Sequence, residues 1–259
     1  MEVVICSSAE QIGAHVADVY AEVLRGDDPV IGLATGSSPL VAYGELIRRH
    51  REDGLSFAHA TAFLLDEYAG LARSHPESYH AVIRRELVDH VDIDPARVHS
   101  PDGEAHDLAE ECRRYDAAIE AVGGVDVQLL GIGTDGHIGF NEPMSSLSSR
   151  TRPKTLTQQT REDNARFFDS IDDVPHHVLT QGLGTIRTAH HLLLVATGAG
   201  KADAVAAAVE GPLAARCPAS ILQLHPHATV FVDEAAASGL EYADYYRYAY
   251  AHKPAWQTF

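Results

Sequence analysis

The sequence predicts an α/β protein with a mainly parallel sheet covered by helices on both faces. Three observations carry that expectation: short apolar runs of strand length, helical periodicity between them, and turns at the run ends rich in glycine, hydroxyls or charge. Residues 3–6 read as a first strand. Ser8 with Gln11 resembles a capping box, and Ile12, Val16, Val19 and Val23 then recur at helical spacing up to Gly26. Residues 30–35 form a second apolar run, followed by Gly36-Ser37-Ser38-Pro39 and a helix carrying Leu40, Leu46 and Ile47. A third run, 60–65, stops abruptly at Asp66-Glu67-Tyr68, and a helix is expected over 78–90. Leu108, Cys112, Tyr115 and Ile119 share one face of the next helix. The run 125–130 enters the glycine-rich stretch 131–136. Residues 145–175 are polar and weakly periodic, and are expected to carry a mobile lid. A strand at 191–196, a turn at 198–201 and an alanine-rich helix at 202–210 follow, and 228–232 is expected to close the sheet. The tyrosine-rich tail, 242–259, reads as a helix with an irregular end. No repeat or linker composition divides the chain, so one domain over 1–259 is expected.

A formal charge of −17 argues against nonspecific nucleic-acid binding, because no basic field exists to displace counterions. No apolar run approaches a membrane span. Three widely spaced cysteines without a CxxC pair fit a reducing compartment, and the N-terminus lacks the pattern of a secretory signal, so the cytoplasm is the expected location. An anionic ligand would have to be attracted by local cations and backbone donors. The chain has only three lysines, Lys154, Lys201 and Lys253, so their positions are informative.

In parallel α/β sheets, ligands bind beyond the carboxyl ends of the strands. That rule selects 35–39, 66–68, 131–143 and 198–201. Thr35, Gly36, Ser37 and Ser38 lead into a helix expected to start at Pro39, which suits an anion cradle of free N–H groups and hydroxyls. A plain helix cap by Ser38 explains the same residues. Gly198-Ala199-Gly200-Lys201 places a lysine at a second helix start, where a cation is unfavourable unless an anion sits nearby. Val195 and Ala202 exclude a nucleotide P-loop, so a phosphomonoester fits better.

Asp135, His137 and Glu142 put two carboxylates and an imidazole in one short loop, a set suited to proton transfer near neutrality. Asp66 offers another carboxylate from a different strand. Each residue taken singly fits a loop cap or surface charge; their concentration at one sheet edge favours chemistry. The stretch 131–136 matches GxGxxG, but no acidic residue occurs from 143 through 160, where a ribose-binding carboxylate would be expected. Sixteen histidines include 176–177, 190–191 and the pair 225 and 227. No metal-binding spacing occurs, and neighbouring histidines on a strand face opposite ways, so no metal site is expected. No GxSxG elbow supports a nucleophilic serine.

With these motifs in order, the chain resembles the glucosamine-6-phosphate deaminase family from about residue 8 to 234. The matching segments are 32–39, Leu65-Asp66-Glu67-Tyr68, His75-Pro76-Glu77-Ser78-Tyr79, 131–143, 148–152, Arg166-Phe167-Phe168-Asp169 and Leu222-Gln223-Leu224-His225-Pro226. The 6-phosphogluconolactonases share the Asp135-Gly136-His137 core, but Phe140-Asn141-Glu142-Pro143 points to the deaminase side. A galactosamine-6-phosphate-specific relative is a further alternative. The resemblance implies a Rossmann-like three-layer α/β/α sandwich, no metal or organic cofactor, and conversion of glucosamine 6-phosphate and water to fructose 6-phosphate and ammonia. It implies Asp66 as the base at C2, Asp135, His137 and Glu142 as a ring-opening relay, and Arg166 and Lys201 as phosphate ligands beside 35–38. Family members are monomers or hexamers, and Ser145, Arg152 and Lys154 match part of the hexamers' intersubunit effector site.

Overall fold

A computed structural model of the chain describes residues 1–254 and 256–259. Ten strands and eight α-helices occur among them: β1 (Glu2–Cys6), α1 (Ala9–Val23), β2 (Val30–Leu33), α2 (Leu40–Asp53), β3 (Thr61–Leu64), β4 (Asp66–Tyr68), α3 (Tyr79–Glu86), β5 (Val98–His99), α4 (Leu108–Ala121), β6 (Val127–Leu130), β7 (Arg152–Thr155), α5 (Gln158–Asn164), β8 (His177–Thr180), α6 (Leu183–Ile186), β9 (His191–Ala196), α7 (Ala202–Val209), β10 (Ala228–Asp233) and α8 (Ala243–Ala251).

Seven strands form the main sheet in the order β1-β10-β9-β6-β2-β3-β5, and every adjacent pair is parallel. The helices flank it, giving the expected α/β sandwich. In β2, β3, β6 and β9 every residue is buried, which explains why these strands read as mainly apolar runs rather than alternating ones. Each fully buried Leu or Ile there contributes roughly 1.5–3 kcal/mol relative to exposure. Packing of α1 against α2 covers part of this core through Ile12, Val16, Ala42 and Leu46. No described helix is long and apolar enough to cross a membrane.

Several local expectations are corrected. Ser8 does cap α1, accepting from the Gln11 amide at 3.3 Å, but the Gln11 side chain accepts from the Ser7 amide at 2.8 Å, so the reciprocal bond slips by one residue. Strand β10 lies inside the sheet between β9 and β1; β1 forms the edge instead. The apolar run could not show this, because an edge strand covered by the tail reads as an interior one. Pro39 is the backbone cap of α2 rather than its first residue. The helix after Ser78 ends at Glu86, and 88–90 continues only as a 3-10 turn.

A second sheet was not legible in the sequence. Strands β4, β8 and β7 form an antiparallel ribbon, with Asp66 opposite Thr180 and Thr180 opposite Arg152. The segment 145–175 therefore contains a strand and α5 despite its weak periodicity. Ribbon pairing supplies the backbone order that side-chain patterning did not advertise.

Candidate active site

Strands β9, β6, β2 and β3 stand side by side, so the four turns selected from the sequence meet along one stretch of the sheet's carboxyl edge. Between them lies a cavity of about 500 Å³. Thr35, Gly36, Ser37, Ser38, Asp66, His137, Arg166 and Lys201 all line it, which brings together eight of the ten residues expected to bind or react. The other two, Asp135 and Glu142, stand behind His137.

Asp66 opens β4 one residue beyond the end of β3, with Leu65 between, where the chain leaves the parallel sheet for the ribbon. It is 6% exposed. Burial, followed by the negative charge of Glu67, raises its carboxyl pKa to about 8, while His137 pulls in the opposite direction. Glu67 faces a different environment. Its carboxylate accepts the amides of Tyr68, Tyr79 and His80 at 2.8–2.9 Å and so anchors the start of α3 to β4. Adjacent residues on one strand have thus become a cavity-lining carboxyl and a structural one.

The imidazole of His137 fits because residue 133 is glycine: a Cβ there would lie 2.3 Å from Cε1 of the ring. Its Nδ1 is 2.7 Å from Asp135 Oδ1 and 3.6 Å from Glu142 Oε2. The shorter contact is poorly aligned for a directed hydrogen bond, so Nδ1 stays without a well-directed partner and the attraction is chiefly one of charge. Burial opposes charging the ring, but Asp135 and Glu142 outweigh it and push its pKa up to about 9. Burial likewise opposes ionisation of Asp135, yet the His137 ring and amide hold its carboxyl well below the usual range. Glu142 is 3% exposed.

Near Gly139, which adopts φ +54°, an added Cβ would sit 3.0 Å from Thr180 Oγ1 and 3.5 Å from Asp66 Oδ2. The Thr180 hydroxyl accepts the Phe140 amide at 3.0 Å, and Asn141 donates to Ile138 and Gln181 carbonyls at 2.9 and 2.8 Å. These bonds fasten the His137 loop to the ribbon that carries Asp66.

The opposite end of the cavity is built differently. Gly36 takes φ +102°, and a Cβ added there would meet nothing within 4 Å, so the backbone turn before α2 is open. That helix start has no side-chain cap bond, so Ser38 does not serve as the plain cap. Lys201 caps α7 and is half-buried; burial lowers its pKa, Asp163 and Asp135 raise it, and Arg166 lowers it further. The Arg166 guanidinium sits 4.7 Å above the Phe167 ring. Two cations and an exposed helix start give this end the chemistry an anion would need.

Ser145, Arg152 and Lys154 do not line the cavity. Ser145 is buried and donates to the Glu142 carbonyl at 2.7 Å, and Arg152 donates to Asn141 Oδ1 at 2.9 Å. Sequence reasoning missed Tyr68, Tyr79 and Asn164, which line the cavity and share hydrogen bonds of 3.2 and 3.0 Å at the Tyr68 hydroxyl. Tyr68 and Tyr79 belong to motif segments already noted, which was the available signal. Among the described residues, Asp135, His137 and Glu142 form the one group of three side chains whose potential ligand atoms lie within 4.8 Å of one another. A proton on His137 offsets one of the two carboxylate charges in this trio.

A family model described as glucosamine-6-phosphate isomerases/6-phosphogluconolactonase matches residues 6–231. The chain is 66% identical to a glucosamine-6-phosphate deaminase of Rhodococcus opacus and 60% identical to one of Streptomyces coelicolor, each over 259 residues and at least 99% of both chains. Its fold matches a solved monomeric glucosamine-6-phosphate deaminase with TM-score 0.90 and 45% identity, over 92% of this chain and all of that one. The 6-phosphogluconolactonase of Trypanosoma cruzi shares the fold, with TM-score 0.72 and 18% identity over 93% of this chain and 97% of that one.

Proposed function

The chain belongs to the glucosamine-6-phosphate isomerase/6-phosphogluconolactonase family, and from that premise we propose that its cavity converts D-glucosamine 6-phosphate and water to D-fructose 6-phosphate and ammonia. One observation carries the assignment: a buried carboxyl, a charged imidazole and two cations beside a helix start face a single cavity.

The phosphate docks against the turn 35–38, Lys201 and Arg166, which places the sugar with its other end toward Asp66 and His137. Held this way, the substrate meets its acid and base without a separate orienting step. His137, carrying a proton stabilised by Asp135 and Glu142, donates to the ring oxygen while the C1 hydroxyl passes its proton to solvent water, and the pyranose opens. Only the open form places C2–H beside a carbonyl, where it is acidic enough to be removed. Ionised Asp66 takes that proton, giving an enolamine, and a proton returned to C1 leaves an iminium at C2. Water adds at C2 and ammonia departs, so one water enters for each ammonia released. A carboxyl with a pKa about 8 is a stronger base than an ordinary aspartate and remains ionisable near neutrality.

No metal or organic cofactor enters this scheme, and the cytoplasm is its proposed location. The segment 145–175 is proposed as a lid, since α5 within it carries cavity residues. Ser145, Arg152 and Lys154 lie outside the cavity lining, and their match to part of the hexamers' effector site is what supports effector binding as their proposed role.

Chelator-treated protein supplied with glucosamine 6-phosphate is expected to release ammonia and fructose 6-phosphate in equal amounts. Turnover of 6-phosphogluconolactone without ammonia release from the amino sugar would overturn this reading in favour of a lactonase. Preferential turnover of galactosamine 6-phosphate would shift the substrate to the epimer.

A further inference from the structure

Glu142 can influence His137 only if its carboxylate keeps one orientation, and its two oxygens have unlike surroundings. Oε2 is buried without a hydrogen-bond partner and faces Nδ1 of His137 at 3.6 Å. Oε1 accepts the Thr160 hydroxyl at 2.7 Å, with the Thr157 amide and hydroxyl more distant at 3.3 and 3.4 Å. The short contact from Thr160 is therefore the principal tether. Both threonines belong to the start of α5, but their duties differ. Thr157 is the helix cap, its hydroxyl accepting the Thr160 amide at 3.1 Å. The hydroxyl of Thr160 has no capping duty; it accepts from the Thr157 hydroxyl at 2.9 Å while donating to Glu142, and Thr160 lines the cavity.

Helix α5 also reaches the other half of the site. Asn164 at its end donates to the Tyr68 hydroxyl at 3.0 Å, and Tyr68 lies on the same short strand as Asp66. Arg166 follows in the next turn. One seven-residue helix thus touches the carboxylate behind the imidazole and the strand of the buried aspartate, and leads directly into the turn that carries Arg166.

We propose that Thr160 is a positioning residue for ring opening: its hydroxyl anchors Oε1 of Glu142 so that Oε2 faces His137, tying the relay to the placement of α5. This inference rests on reading Asp135, His137 and Glu142 as the ring-opening group. Loss of the hydroxyl leaves Oε1 with the two longer Thr157 contacts and frees the carboxylate to turn away from the ring. The C2 proton transfer by Asp66 does not use this bond.

The test compares glucosamine 6-phosphate with its acyclic 2-amino-2,4,5-trideoxyhexose 6-phosphate analogue, which has no hydroxyl able to close a pyranose or furanose. Thr160→Val is expected to lower kcat on glucosamine 6-phosphate by ~10- to 100-fold, the range expected for a lost hydrogen bond to a charged group. Its KM and its turnover of the acyclic compound should remain within about twofold, and Thr160→Ser should restore ring-dependent turnover. Thr160→Ala serves as a second truncation should the valine variant fail to fold. Equal slowing on both substrates, or no slowing in either truncation, overturns the proposal. Glu142→Gln separates the two layers of reasoning. If it selectively impairs the ring substrate while the Thr160 variants do not, Thr160 loses its role and the relay stands. If Glu142→Gln impairs both substrates equally, the relay reading fails and takes this inference with it.

Discussion

The two ends of the cavity obey opposite rules. At the end formed by Asp66, His137 and Glu142, polar groups are buried and neighbouring charges shift their protonation: Asp66 is pushed up to about 8 and His137 to about 9. At the end formed by 35–38, Arg166 and Lys201, the backbone turn is open and the helix start lacks a side-chain cap. The first end is internally organised before any ligand arrives; the second presents donors to the cavity. A proton-transfer site needs preset pKa values and fixed geometry, whereas an anion site needs unsatisfied donors. The contrast also explains how a chain of charge −17 can hold a phosphate. Short-range donors act within a few ångströms, where the mean field of the surface is largely screened.

Breaking the acid–base end should have the largest effect. Asp66→Asn is expected to lower turnover by ~10²- to 10⁴-fold and to abolish exchange of C2–H with solvent deuterium, while binding of a phosphate-bearing inhibitor changes little. Normal exchange in that variant would remove Asp66 from the chemistry. Weakening the other end should act on binding instead. Lys201→Ala removes a charge-assisted contact and should raise KM by ~10- to 100-fold with a smaller change in kcat. An unchanged KM would erase the distinction between the two ends.

The smallest effect sharpens the comparison through pH. In the free enzyme, kcat/KM should rise as pH passes through about 8 and Asp66 ionises, then fall above about 9 as His137 loses its proton. The stability effect has the opposite sign. Because the folded-state pKa of Asp66 is raised, its contribution is fully present below the unfolded value of about 3.9 and is lost as pH rises through about 8. Asp66→Asn should consequently gain thermal stability relative to the parent as pH increases from 5 to 8, by at most about 1.4 kcal/mol per pH unit. A melting-temperature difference independent of pH would contradict the buried, raised carboxyl.

The main sheet was largely legible because strands buried on both faces are mostly apolar, as β2, β3, β6 and β9 are, with Thr61, Gln128 and His191 as buried polar exceptions. The site was legible for a related reason: glycine, hydroxyl and charged residues interrupt those runs at their carboxyl ends. Its supporting residues were harder to read. Glu67 resembles Asp66 in sequence, yet three amides from β4 and α3 engage it while Asp66 faces the cavity. Thr160 lies in a polar segment with little periodicity, and its bond to Glu142 spans 18 positions. Such pairings leave no local pattern to detect.

By itself, the chain's order of residues determined the α/β layering, the four turns and the residue types available for acid–base and anion chemistry, because burial and backbone geometry restrict composition locally. Only the tertiary structure decided that β10 is internal, that β4, β8 and β7 form a ribbon, and which oxygen of Glu142 faces His137. Those outcomes depend on contacts between distant segments, and their energies belong to the pair rather than to either residue.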